Sequence, residues 1–178
     1  VGGSTRNADA HSNDLGFVWF NNAYDYENLT DTTTGNWNVT QAVSDWYYNS
    51  QLWINTYQSA GFYEITAYSG YYSYWSFLGG AWVYSNTSTC ADPFQNYHTC
   101  NKTTQPATTA YITLNLSSPG SSSQILRNKA SRHELGHVFG LDHPINTCFG
   151  ILMDDGGLCP SSPNYITAHD SADMNALY

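Results

Sequence analysis

The segment His133–His143, HELGHVFGLDH, constrains this chain more than any other. In a helix of 3.6 residues per turn, His133 and His137 stand one turn apart on the same side, so both imidazoles can reach one ion. Glu134 follows the first of them directly. That sets a carboxylate beside such an ion without making it a ligand, in a place where it can take a proton from water. Gly140, three residues after His137, can enter the left-handed conformation that ends a helix, and the resulting turn would return His143 to the same ion. Three neutral imidazoles with an open fourth position describe a catalytic zinc site, whereas structural zinc is closed by four protein ligands, commonly cysteines. One catalytic zinc held by His133, His137 and His143, with Glu134 as general base, is the expected centre.

A bare HExxH occurs by chance in many helices, but the longer pattern is far more restrictive, and downstream Cys148–Asp154, CFGILMD, adds a methionine at a suitable distance. HExxHxxGxxH followed by a methionine turn resembles the metzincin signature. Within that superfamily of zinc endopeptidases, GLDH and the closing Leu177 and Tyr178 are most similar to the matrixins. The resemblance is carried by residues 132–153, extends more weakly into the last helix, and is architectural before that.

It implies an α+β fold with a twisted mixed β-sheet, long helices, an active-site helix, a methionine turn and a C-terminal helix. Residues 1–178 would form one metalloprotease domain, with an upper subdomain to about residue 140 and a lower one from about 141. It also implies a secreted, monomeric endopeptidase acting on protein or peptide substrates. Zinc would polarise the scissile carbonyl and activate water, and Glu134 would pass the water's proton to the leaving amine. Met153 would pack beneath the imidazoles as an apolar floor.

The chain also departs from these families. Pro144 follows His143 where many matrixins have serine. Asp155 stands two residues after the methionine, where astacins and serralysins place a tyrosine, so no tyrosine ligand is implied. Motifs for further structural zinc or calcium are not recognisable, which leaves additional metals open. The competing class is a secreted, zinc-bearing module that binds carbohydrate or peptide without turnover. Glu134 separates the two, because a pure binder has no need of a carboxylate beside an open zinc.

Composition fixes the setting. The chain has 178 residues, enough for one domain with a proper core. No apolar run reaches the length of a membrane span, and Val1 reads as the start of an exported, processed product. Five basic residues against fourteen acidic ones, a net charge of −9, argue against nucleic acid or an anionic membrane as partner. Four cysteines allow three pairings, of which proximity favours Cys90–Cys100 with Cys148–Cys159. Neither pair has zinc-ligand spacing, so they point to disulfides and an oxidising, extracellular compartment. N-x-[ST] triplets begin at Asn28, Asn38, Asn86, Asn101 and Asn115, but a chain this rich in Asn, Ser and Thr produces them readily.

Along the chain, Leu15–Phe20 reads as a buried first strand, and apolar residues at intervals of three and four between Asn36 and Gly61 predict a long amphipathic helix. Phe62–Tyr68 and Ala81–Tyr84 favour strands. The aromatic stretch Tyr68–Gly80 between them fits packing over a sheet better than a platform for sugars or peptide side chains. Ala110–Leu116 alternates as a half-buried strand, and the metzincin resemblance implies that it forms the sheet edge that pairs with substrate.

Serines before Gln124 can cap the helix Gln124–Phe139, and Thr167 with Asp170 forms a capping pattern for the last helix. Pro163–Tyr165 looks like the matrixin segment that walls the pocket beyond the scissile bond. The loop Asp154–Ile166 is therefore expected to set an apolar or aromatic preference there, unless Asp154 and Asp155 favour a basic side chain.

Overall fold

A computed structural model describes Trp19 and residues 25–30, 36–50, 64–86, 89–94, 106–144, 148–154, 159 and 161–178. Outside the described residues lie most of the expected first strand Leu15–Phe20, the continuation of the predicted helix towards Gly61, Cys100, and Asp155. The described elements are β1 (Tyr26–Leu29), α1 (Val39–Asn49), β2 (Ile65–Gly70), β3 (Gly79–Tyr84), β4 (Thr89–Ala91), β5 (Thr109–Asn115), a 3-10 turn (Pro119–Ser122), α2 (Gln124–Val138) and α3 (Ala168–Leu177). The strands form one mixed sheet in the order β1-β2-β5-β3-β4. β1, β2 and β5 run parallel, while β3 is antiparallel to β5 and β4. The result is a mixed α/β architecture, and no helix among the described residues is long and apolar enough to cross a membrane.

Local pattern explains most of these elements. On α1, Val39, Ala42, Val43 and Trp46 recur at helical spacing, and all four are buried. On β5, alternation buries Ala110, Ile112 and Leu114, while Tyr111 stays partly exposed on the other face. The expectation that this strand forms an edge is corrected: β5 lies between β2 and β3 and is paired on both sides. Alternating hydrophobicity reveals which face of a strand is buried, but not how many neighbours the strand has. The edge strands of the described sheet are β1 and β4, and β4 leaves part of β3 uncovered. β4 pairs only with the last residues of β3, Val83 and Tyr84, so among the described residues no strand pairs with the outer side of Gly79–Trp82.

α2 packs against the apolar face of β3 and β5. Buried polar donors fix its position. Trp46 Nε1 donates to the Arg132 carbonyl at 2.8 Å, Ser131 Oγ to that of Trp37 at 2.6 Å, and Trp19 Nε1 to that of Val138 at 2.7 Å. The Tyr178 hydroxyl donates to the carbonyl of Phe139 at 3.0 Å, tying the chain's last residue to the end of α2. Ser123 caps α2, its side chain accepting from the Leu126 N–H.

Beyond α2, the chain is held by two buried carboxylates and a disulfide. Cys148 pairs with Cys159 as proximity predicted, and Cys90 is also disulfide-bonded, although the residue proposed as its partner lies outside the described set. Asp154 is fully buried and accepts from the N–H groups of Phe149, Gly150 and Ile151. It closes the turn before it, which counts against the alternative that Asp154 helps to favour a basic side chain. Asp170 completes the predicted capping box with Thr167 and also accepts from the N–H groups of Leu152 and Met153, each at 3.1 Å.

Replacing Asp170 with alanine leaves two buried N–H groups without an acceptor and removes the carboxylate half of the capping box, which accepts from Thr167 N–H. Asp170→Ala is expected to cost about 2–4 kcal/mol, measured from the urea midpoint of unfolding. A loss below about 0.5 kcal/mol would show that water replaces the carboxylate there.

Candidate metal centre

His133 and His137 lie one turn apart on α2, and Gly140 ends that helix with φ 101°, in the left-handed region that favours glycine. The turn is closed by Gly140 N–H donating to the His137 carbonyl and Leu141 N–H donating to that of Gly136, each at 3.0 Å. His143 is thereby brought onto the other two histidines. The three Nε2 atoms are separated by 2.8 Å (His133 to His143), 3.1 Å (His137 to His133) and 3.1 Å (His137 to His143).

The hydrogen bonds on the far side of the rings determine what these nitrogens offer. His133 Nδ1 lies 2.9 Å from the Leu152 carbonyl and His137 Nδ1 lies 2.8 Å from that of Leu141. A carbonyl only accepts, so each Nδ1 carries the hydrogen and each neutral ring presents its Nε2 lone pair to the centre. Burial, together with the neighbouring His137 and His143, holds His133 well below the ordinary imidazole range, which keeps it neutral.

Lone pairs converging at about 3 Å repel one another unless a cation lies among them. Ligands 2.0–2.1 Å from a tetrahedral zinc ion stand about 3.3 Å apart. The triad is only a few tenths of an ångström tighter than that, and its three nitrogens lie close enough together to bind one metal ion.

Glu134 points from α2 towards the sheet and is almost completely buried. A Cβ placed on Gly79, the first residue of β3, would lie 3.0 Å from Glu134 Cγ and 3.1 Å from Oε1, so any side chain there would crowd the Glu134 side chain. Burial pushes the carboxyl up to about 8. On α2 itself, a Cβ on Gly136 would stand 2.3 Å from Met153 Sδ. Met153 is buried, and its thioether packs directly against the helix that carries His133 and His137.

The structure thus brings His133, His137 and His143 together, as the spacing predicted. It also reveals contacts that sequence reasoning missed: Gly79 making room for Glu134, Gly136 making room for Met153, and the carbonyls of Leu141 and Leu152 orienting two imidazoles. Only the two glycines left a trace in the sequence, as small residues beside or facing the motif. Tyr165, expected in a pocket wall, is mostly exposed, and the neighbouring Asn164 carbonyl accepts from Arg132. No protein-family model matches the chain, and no curated protein matches it in sequence.

Adding one methyl group at Gly136 would force Met153 away from α2. Gly136→Ala is expected to destabilise the fold by about 1–3 kcal/mol and to weaken metal binding at least tenfold, read by thermal unfolding and by competition with a chromophoric chelator. Unchanged stability and affinity would show that Met153 repacks freely.

Proposed function

We propose that this chain is a secreted zinc-dependent endopeptidase of the metzincin type. The observation that carries the proposal is the convergence of three histidine Nε2 atoms at 2.8–3.1 Å with a buried glutamate next to the first of them on the same helix. His133, His137 and His143 would hold the metal through their Nε2 atoms, a donor set that suits a catalytic zinc ion. When bound, zinc supplies Lewis acidity, which polarises a carbonyl and lowers the pKa of water. Glu134, which a cation bound beside it would keep ionised despite its burial, would accept the water's proton and deliver it to the departing amine. Its enclosure between α2 and β3 keeps bulk water from competing for that proton. The disulfide Cys148–Cys159 suits an extracellular setting.

An open stretch of β3 supports the reading that the substrate is a peptide. The Leu78 carbonyl accepts from Asn115 N–H, so Leu78, Gly80 and Trp82 turn their backbone groups towards β5. Gly79 and Ala81 therefore present theirs outward, at the edge that no described strand covers. An extended peptide adding to that edge would run past Glu134, because Gly79 is the residue against which Glu134 packs. The strand-addition role that the family resemblance assigned to residues 110–116 thus moves to β3.

Two measurements test this reading. Glu134→Gln should keep one equivalent of zinc and lose at least 10²–10⁴-fold in turnover on a random peptide library. A parent protein that carries zinc and cleaves no peptide in that library would sink the proposal, as would a Glu134→Gln protein working at the parental rate. Separately, Ala81→Pro removes an outward donor without breaking the ladder to β5, and should raise KM for extended peptides several-fold while sparing short ones. An unchanged KM would place the substrate elsewhere.

A further inference from the structure

The sheet face turned away from α2 carries a second, separate concentration of chemistry. Strand alternation assigns the faces. Gly79 and its partner Leu114 lie on the side of Glu134, so Trp82 and Tyr84 of β3, Tyr111 and Thr113 of β5, and Tyr68 of β2 lie on the opposite side. These residues line an open cavity of about 310 Å³, at the small end of the range for small-ligand sites.

The cavity is built by two glycines at outward-facing positions. At Gly70 a Cβ would meet the Tyr72 ring at 2.8–3.0 Å, and at Gly80 one would meet Pro93 at 2.9 Å. Their absent side chains let the segments that follow β2 and β4 fold down over the sheet. Tyr72 stacks on Trp75 at 4.3 Å, and Trp75 reaches Trp82 at 5.5 Å, which makes a continuous wall. Tyr68 and Tyr111 stack at 6.3 Å across neighbouring strands, and both keep more than a third of their surface exposed. The mouth of the cavity is therefore lined by accessible aromatic surface.

We propose that this face is a binding site for neutral saccharides. None of the described lining residues is charged, and their side-chain polar groups are the hydroxyls of four tyrosines and a threonine together with two indole N–H groups. A pyranose ring matches that set, with apolar C–H faces that pack on aromatic rings and equatorial hydroxyls that exchange hydrogen bonds with phenols. A peptide finds less here. The cavity lies on a face of the sheet and not along an edge, since β5 at its centre is paired on both sides, and no described lining residue offers a carboxylate, amide or cation to fix a peptide's polar groups. The site is independent of the proposed peptidase chemistry and would anchor the protein to a glycan while the other face of the sheet works.

The test uses the full chain with soluble tetramers of glucose, mannose and N-acetylglucosamine, followed by tryptophan fluorescence and calorimetry. At least one tetramer should bind saturably, with the affinity unchanged by a metal chelator. Tyr68→Ser and Tyr111→Thr, which remove partly exposed rings and keep strand-compatible side chains, should each weaken binding at least tenfold while leaving peptide cleavage and the circular dichroism spectrum as in the parent. Binding of none of the three tetramers overturns the proposal, and so does binding that both variants leave intact. Saturable binding of a proline decamer lost in the same variants would assign the face to peptide instead, and that also overturns it.

Discussion

Two hydrogen bonds from imidazole to backbone determine the rest of the centre. With Nδ1 of His133 committed to the Leu152 carbonyl and Nδ1 of His137 to that of Leu141, both rings are fixed in tautomer and in orientation. The carbonyls must themselves be held. The peptide of Leu152 is anchored by Asp170, which accepts from Leu152 and Met153 N–H, and Leu141 is anchored by the turn at Gly140. α3, which contributes no metal ligand, thereby acts on the centre through one carboxylate and one peptide group. A metal bound at the triad would in turn stabilise the loops that supply those carbonyls, so metal binding and the order of the region after α2 are linked.

Close packing imposes the second constraint. α2 is pressed against β3 on one side and against Met153 on another, and at both contacts the chain places glycine where a Cβ would crowd its neighbour, most severely at Gly136. At Gly79 the space saved goes to Glu134, and at Gly136 it goes to the Met153 thioether. A polarisable, unbranched side chain suits such a gap because it fills an irregular surface without a preferred contact direction. These glycines weaken strand and helix propensity locally. The position they secure for α2, between the sheet and the loop of Met153, offsets that cost.

The site was legible to the extent that it is periodic. Helical spacing alone aligned His133 with His137, and the left-handed preference of glycine explained how His143 returns, because both are properties of a few consecutive residues. The capping box at Thr167 and the local disulfide Cys148–Cys159 were legible for the same reason. The place of β5 in the sheet was not, since the alternation of Ile112 and Leu114 is the same in a central strand as in an edge strand with one buried face. β1, with the sequence YENL, has no β-branched residue to mark it as a strand, and it forms through its parallel pairing with β2. The role of Asp154 in the turn was not legible either, because its partners are three backbone N–H groups, which no side-chain pattern reveals.

The sheet itself explains how the same strands can carry two unlike surfaces. Along β3 and β5, successive residues alternate between a face of small and aliphatic side chains, on which α2 lies, and a face of tyrosine, tryptophan and threonine. The period of two keeps the faces chemically separate even though they share every backbone hydrogen bond. A substitution at Tyr111 therefore changes the aromatic face with little effect on Ile112 beneath it, whereas a shift of register by one residue would exchange the two faces and destroy both. Pairing of β5 on both sides guards against such a shift, so the central position that rules out β5 as a peptide-binding edge is also what holds the two surfaces in register.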